Sequence, residues 1–149
     1  GDVNGSGVTH MISGQPNYSS ATGNRTYHRV FRNGSSSIAV FTIAINGGSG
    51  INVVPYGTAL DANNVRVWIK IPGKTGWRDI STGTPAPGYT ATADNLGPLQ
   101  GSKVTTATSS THTINLLTEA LAVNEYFVLR IEASSSWTNN IDSIVITGL

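Results

Sequence analysis

The sequence predicts an all-β protein, a two-sheet antiparallel β-sandwich with the jelly roll as a candidate topology. Residues 65–71 and 125–133 alternate apolar and polar side chains with the period of two that a half-buried strand requires. Weaker runs of the same kind recur at spacings of roughly 8–15 residues, separated by Gly, Pro, Asn and Ser, the rhythm of a sandwich or barrel. No long amphipathic helix alternates with these runs, which argues against a parallel α/β sheet.

Taken in order, residues 1–24 are rich in Gly, Asn and Ser with almost no apolar periodicity. They read as a linker, or as an arm that packs against a neighbour, and the sandwich domain is expected over residues 25–149. In the clearest strand Val65, Val67, Ile69 and Ile71 point one way and Arg66, Trp68 and Lys70 the other. Pro72-Gly73 stops it, and Gly76 to Ile80 returns as the second arm of a hairpin. In the second clear strand Phe127, Leu129, Ile131 and Ala133 are expected in the core, with Tyr126, Arg130 and Glu132 facing out. Weaker strands are expected over 27–32, 37–45, 51–54, 88–93, 104–108, 111–117 and 141–147, and one short helical turn near 116–121.

Composition bounds the function. The 149 residues suit one domain, large enough to build a core without metals or disulfides. Charged residues are 11% of the chain, against about 25% in a typical soluble domain. Gly, Ser, Thr and Asn fill the gap, so the surface is polar but weakly charged. A net charge of +1 gives no electrostatic case for nucleic acid, and none is expected as a partner. Arg25, Arg29 and Arg32, and later Arg66, Lys70, Lys74 and Arg78, read first as solvated strand faces and loops. With no cysteine there are no disulfides, thiolate zinc sites or cysteine nucleophiles. No apolar run approaches the roughly 18 residues of a transmembrane helix, so no membrane insertion is expected. The chain opens without Met or a signal peptide and reads as a fragment of something longer.

No catalytic motif announces a reaction, and the protein is expected not to be an enzyme and to need no cofactor or metal. Asp2, Asn4 and Ser6 have the spacing of calcium ligands, but Ser13 stands where the loop needs a bidentate acid. His10, His28 and His112 lack the helical pairing of a zinc protease. A Ser-His-Asp triad is not excluded by spacing, though no Gly-x-Ser-x-Gly elbow supports one. The eight acids, Glu132 and Asp79 among them, read as surface salt-bridge partners. The Asn-x-Ser/Thr triplets at Asn4, Asn17, Asn24 and Asn33 are of a kind that arises by chance in this composition. The tryptophans carry more information. Trp68 lies between Arg66 and Lys70 on the polar face of its strand, Trp77 follows the turn beside Arg78, and Trp137 sits in a Ser-rich loop. Exposed indole beside hydrogen-bonding side chains suits stacking on the apolar face of a sugar. The competing use of the same rings is to close the sandwich or to fill a subunit interface. The candidate ligand-binding set is Trp68, Trp77, Tyr89, Trp137, Arg66, Lys70 and Arg78.

The segments Val67-Trp68-Ile69-Lys70-Ile71-Pro72-Gly73-Lys74-Thr75-Gly76-Trp77-Arg78-Asp79 and Leu129-Arg130-Ile131-Glu132-Ala133-Ser134-Ser135-Ser136-Trp137-Thr138-Asn139-Asn140-Ile141 resemble a family. It is the C-terminal β-sandwich domain of bacteriophage virion appendage proteins, tail fibres in particular, and the resemblance spans residues 25–149. It implies a distal domain on a fibre, in the virion or outside the cell, that engages host-surface glycans and assembles as a homo-oligomer, with a trimer favoured. It carries over no catalytic or binding residues. Two alternatives stand beside it: a purely structural trimerisation or capsid-decoration domain without ligand, and a carbohydrate-binding module of a secreted glycosidase.

Overall fold

A computed structural model describes residues 2–3, 9–13, 25–34, 37–47, 51–71, 76–89, 104–105, 109–116, 120–137 and 141–148. Its strands are β1 (Asp2–Val3), β2 (Thr9–Ser13), β3 (Arg25–Asn33), β4 (Val40–Asn46), β5 (Asn52–Val53), β6 (Asn64–Lys70), β7 (Arg78–Asp79), β8 (Val104–Thr105), β9 (Ser109–Asn115), β10 (Tyr126–Ala133) and β11 (Ser143–Gly148). They form two sheets packed face to face, a β-sandwich, with no helix among the described residues.

The first sheet runs β1-β3-β10-β6-β5, with β7 also on β6, and the second runs β2-β11-β4-β9-β8. Successive long strands, β3, β4, β6, β9, β10 and β11, alternate between the sheets. All ladders between long strands are antiparallel. At two edges the two-residue strands β1 and β5 run parallel to β3 and β6. The stretch read as linker or arm supplies β1 and β2, one edge strand to each sheet. The physical gain is at the edge: β2 covers backbone groups of β11 from Ser143 to Thr147 that would otherwise lie open. Of the expected strand over 88–93, residues 90–93 lie outside the described residues, and Gly88 and Tyr89 belong to a turn closed by the Tyr89 N–H on the Ala86 carbonyl. The expected helical turn likewise falls mostly on 117–119, outside them, while Leu121 forms a backbone bridge to Ile38.

The period-two reading sets the core. On β10 Phe127, Leu129, Ile131 and Ala133 are buried, and on β6 Val65, Val67 and Ile69 are buried beside them in register. The second sheet answers with Phe41, Ile43 and Ile45 of β4, Ile114 of β9 and Ile144 and Ile146 of β11. Phe127 stacks on Phe31 of β3 at 5.0 Å between ring centroids and meets Phe41 of the opposite sheet at the same distance, 5.0 Å. These rings therefore tie the two sheets together, and offset or tilted ring pairs contribute about 0.5–1.5 kcal/mol beyond the area they bury. At the end of β3 the buried Asn33 donates its side-chain amide to the Leu121 carbonyl at 2.7 Å, so its polar group is satisfied inside the apolar layer.

This packing has a measurable consequence. Leu129→Ala and Ile69→Ala remove fully buried side chains and are expected to cost about 2–5 kcal/mol each in urea unfolding. Val128→Ala, on the outer side of the same strand, is expected to cost clearly less. Equal losses from inner and outer positions would contradict the register.

Candidate ligand-binding face

The outer face of the six-stranded sheet carries most of the candidate residues. Register builds it in rows. Val30 of β3, Val128 of β10 and Lys70 of β6 lie side by side, as do His28, Arg130, Trp68 and Asp79 of β7 in the next row, and Thr26, Glu132 and Arg66 in the third. The hairpin expected after residue 71 is present as the β6–β7 pair.

Glu132 is the hub of this face. Its Oε1 accepts from Trp68 Nε1 at 2.7 Å and pairs with Arg130 Nη2 at 3.2 Å. Its Oε2 pairs with Arg66 Nη1 at 3.2 Å. Glu132 and Arg66 are mostly buried, with side chains 12% and 14% exposed, so solvent screens this pair less than a surface salt bridge. Arg66 also donates to the Thr58 carbonyl at 2.9 Å, and its guanidinium lies over the Tyr56 ring at 5.6 Å.

Asp79, wholly buried, fixes the loop that carries Tyr56. Its Oδ2 accepts from the Tyr56 N–H at 2.7 Å and from the Thr82 hydroxyl at 3.1 Å, and its Oδ1 accepts from the Ser81 N–H at 2.8 Å. Three donors replace the water that a buried carboxylate loses. The loop so held sets Tyr56 against Trp68, with ring centroids 5.4 Å apart.

Two tryptophans therefore follow the competing reading, in which the rings are packed. Trp68 does project from the outer face, but Tyr56 and the Glu132 cluster leave it 4% exposed. Trp137 belongs to the core between the sheets, 3% exposed, because a turn in which Ser136 N–H binds Ser134 Oγ folds the Ser-rich loop back. Arg78 is corrected as well. It points away from Asp79, is buried, and donates to the Gly83 carbonyl at 3.0 Å, so it braces the turn after β7 and presents no charge to solvent.

The remaining candidates do come together. Trp77 is half-buried, and its ring lies 5.8 Å from that of His28. Since β6 and β10 separate β7 from β3, the indole must reach across the outer face to make this contact. Tyr89 is exposed and seats on Gly76. A Cβ at Gly76 would overlap the Tyr89 ring, and the backbone there has φ +77°, so both space and conformation call for glycine. Lys70 is exposed on the same face. The sequence reading missed Tyr56, His28, Arg130 and Glu132 as members of this face. Only Glu132 and Arg130 left a signal, in the outward phase of their strand.

Elsewhere, Ser110 Oγ lies 2.7 Å from His112 Nε2, but both side chains are buried on the inner face of β9, where no substrate reaches the hydroxyl. Among the described residues no three His, Cys, Asp or Glu side chains gather as a metal site. No protein-family model matches the chain, and no curated protein matches it.

Asp79→Ala is expected to release the Tyr56 loop. It should lower stability by about 3 kcal/mol, the scale for orphaning donors to a charged acceptor, and shift tryptophan emission to longer wavelength as Trp68 meets water. Unchanged emission would mean that Asp79 does not hold the cover over Trp68. Gly76→Ala should displace Tyr89 while leaving the cooperativity of unfolding intact.

Proposed function

We propose that this domain is the distal domain of a tail-fibre-like bacteriophage appendage, attaching to host-surface glycans and acting as a homo-oligomer, with a trimer favoured. The observation that supports glycan attachment is the set of partly open rings around one sheet face. Trp77 lies across it half-open, and Tyr56 and Tyr89, each 46% exposed, flank it. Apolar sugar faces stack on such rings, while hydroxyls take hydrogen bonds from neighbouring side chains. Here those neighbours are Lys70, Arg130 and His28. Their backbones stand on strands and Tyr56 is tied down by Asp79, so little ordering opposes binding. Single-site affinity on an open sheet face is weak, and several copies on one fibre raise it by avidity. The appendage setting rests on the resemblance of residues 25–149 described above.

One observation favours the structural reading. Val30, Val128 and Tyr126 form an apolar strip on the same sheet, with Val30 47% and Tyr126 54% exposed, of the kind a second subunit covers.

Binding to host cells or a glycan array should fall at least tenfold in Trp77→Ala and severalfold in Tyr89→Ala and Tyr56→Ala, with the β-sheet circular dichroism spectrum kept. Trp68→Ala and Trp137→Ala should act through stability instead. Light scattering should give about three times 15.6 kDa. A monomer that binds would favour the appended glycosidase module, and a trimer that dissociates on Tyr126→Ala and binds no glycan would favour the structural domain.

A further inference from the structure

Resting on the glycan-binding reading, we infer that the ligand of this face is an acidic glycan, whose carboxylate or sulfate is held between Lys70 and Arg130 while a sugar ring stacks on Trp77. The argument begins with charge. By register the outer face carries Arg32, Arg66, Lys70 and Arg130 against Glu132 and the buried Asp79, and Arg32 donates to Asn124 Oδ1 at 3.1 Å. Arg66 faces Glu132 in the register and is consumed by it and by Thr58. Asp79 is enclosed by its own donors. The groups left to meet a ligand are therefore cationic, although the whole chain is nearly neutral.

The second part of the argument is the shortage of acceptors. Arg130 has five N–H groups. The structure offers it one carboxylate oxygen, Glu132 Oε1 at 3.2 Å, which it shares with Trp68 Nε1 at 2.7 Å. Arg130 Nε is itself enclosed and has no acceptor among the described residues, while the side chain as a whole is 37% exposed, so its accessible N–H groups are the outer ones. Lys70 makes no ion pair among the described residues and is exposed. Val128 pairs with Lys70 and Arg130 with Trp68, so Lys70 and Arg130 are diagonal neighbours on adjacent strands. That places their Cα atoms about 7–8 Å apart, close enough for both long side chains to converge on one anion. An incoming carboxylate or sulfate supplies acceptors to the outer guanidinium N–H groups and to the Lys70 ammonium. The Trp77 indole crosses from the β7 side of the sheet toward His28, over the strands that carry Lys70 and Arg130. A ring stacked there brings its acidic substituent to the cations.

The test is affinity electrophoresis through gels carrying polygalacturonate, its carboxyl-reduced neutral form, dextran sulfate or plain dextran, at low and at roughly 0.5 M salt, where charge interactions are strongly screened. Wild type should bind an acidic polymer at least tenfold more tightly than its neutral counterpart, with most of that preference lost at high salt. Preference for polygalacturonate assigns the carboxylate, and preference for dextran sulfate assigns the sulfate. Lys70→Gln, an exposed change that breaks no ion pair among the described residues, should reduce acidic binding severalfold and neutral binding by less, so that the acidic-to-neutral preference shrinks. Arg130→Gln should do the same, with unfolding curves checking that the Glu132 cluster survives. Trp77→Ala should abolish binding to every polymer. Equal affinity for acidic and neutral polymers, or acidic binding untouched by Lys70→Gln, overturns the acidic-ligand inference and leaves the glycan reading standing. Acidic binding that survives in Trp77→Ala is plain ion exchange and overturns both readings, and so does an absence of wild-type binding to every polymer.

Discussion

Strand β10 lies between β3 and β6, and its alternation divides the first sheet into a core side and an outer face. Phe127, Leu129, Ile131 and Ala133 enter the sandwich, while Val128, Arg130 and Glu132 stand on the opposite side. A slip of one residue in either ladder would exchange these two sets, burying an ion pair and exposing three large apolar side chains. Such a slip is prohibitively costly, so the same hydrophobic constraint that stabilises the sheet also aligns Glu132 with Arg66 and Arg130 with Trp68. The geometry of the face is thereby inherited from the core.

Buried carboxylates then convert an ordinary sheet surface into a shaped one. Asp79 and Glu132 would each destabilise the fold if left without donors. Both are instead saturated, Asp79 by a loop and a turn, Glu132 by an indole and two guanidinium groups. Their effect is positional. Asp79 pins the main chain at Tyr56, Arg66 pins it again at Thr58, and the loop between is held over Trp68. One tryptophan is consumed as a packed base beneath Tyr56, and another, Trp77, is left partly open. What distinguishes them is the loop above them, since both belong to the same side of the sheet.

The strand pattern was legible because burial on one side of a pleat leaves a period-two mark that needs no knowledge of the partner. Core-facing Val65, Val67, Ile69, Phe127, Leu129 and Ile131 follow from that mark, as does the outward phase of Arg66, Trp68, Lys70, Arg130 and Glu132. The pattern carries no information about what lies above the outer face. Phase alone cannot distinguish a solvated side chain from one covered by a distant loop, which is why Trp68 reads as open when it is not. Trp137 and Arg78 mislead for a related reason. Composition suggests the surface for both, yet a turn at Ser134 folds Trp137 back into the core, and the register of β7 sets Arg78 beside the inward Ile69.

The sequence by itself therefore determined the all-β class, the inner and outer sides of the two clearest strands and the weakly charged surface, because these depend on residue type and on neighbours one or two positions away. Only the tertiary structure decided which strands beyond the β6–β7 hairpin are neighbours, that two short strands come from the first residues, and that Tyr56, Trp77, His28, Arg130 and Glu132 share one face. Those contacts join segments tens of residues apart, Trp68 to Glu132 and Trp77 to His28 among them. Their alignment is set by the register of β3, β10 and β6 around a common core, a property of the packed sheets that no local stretch of sequence records.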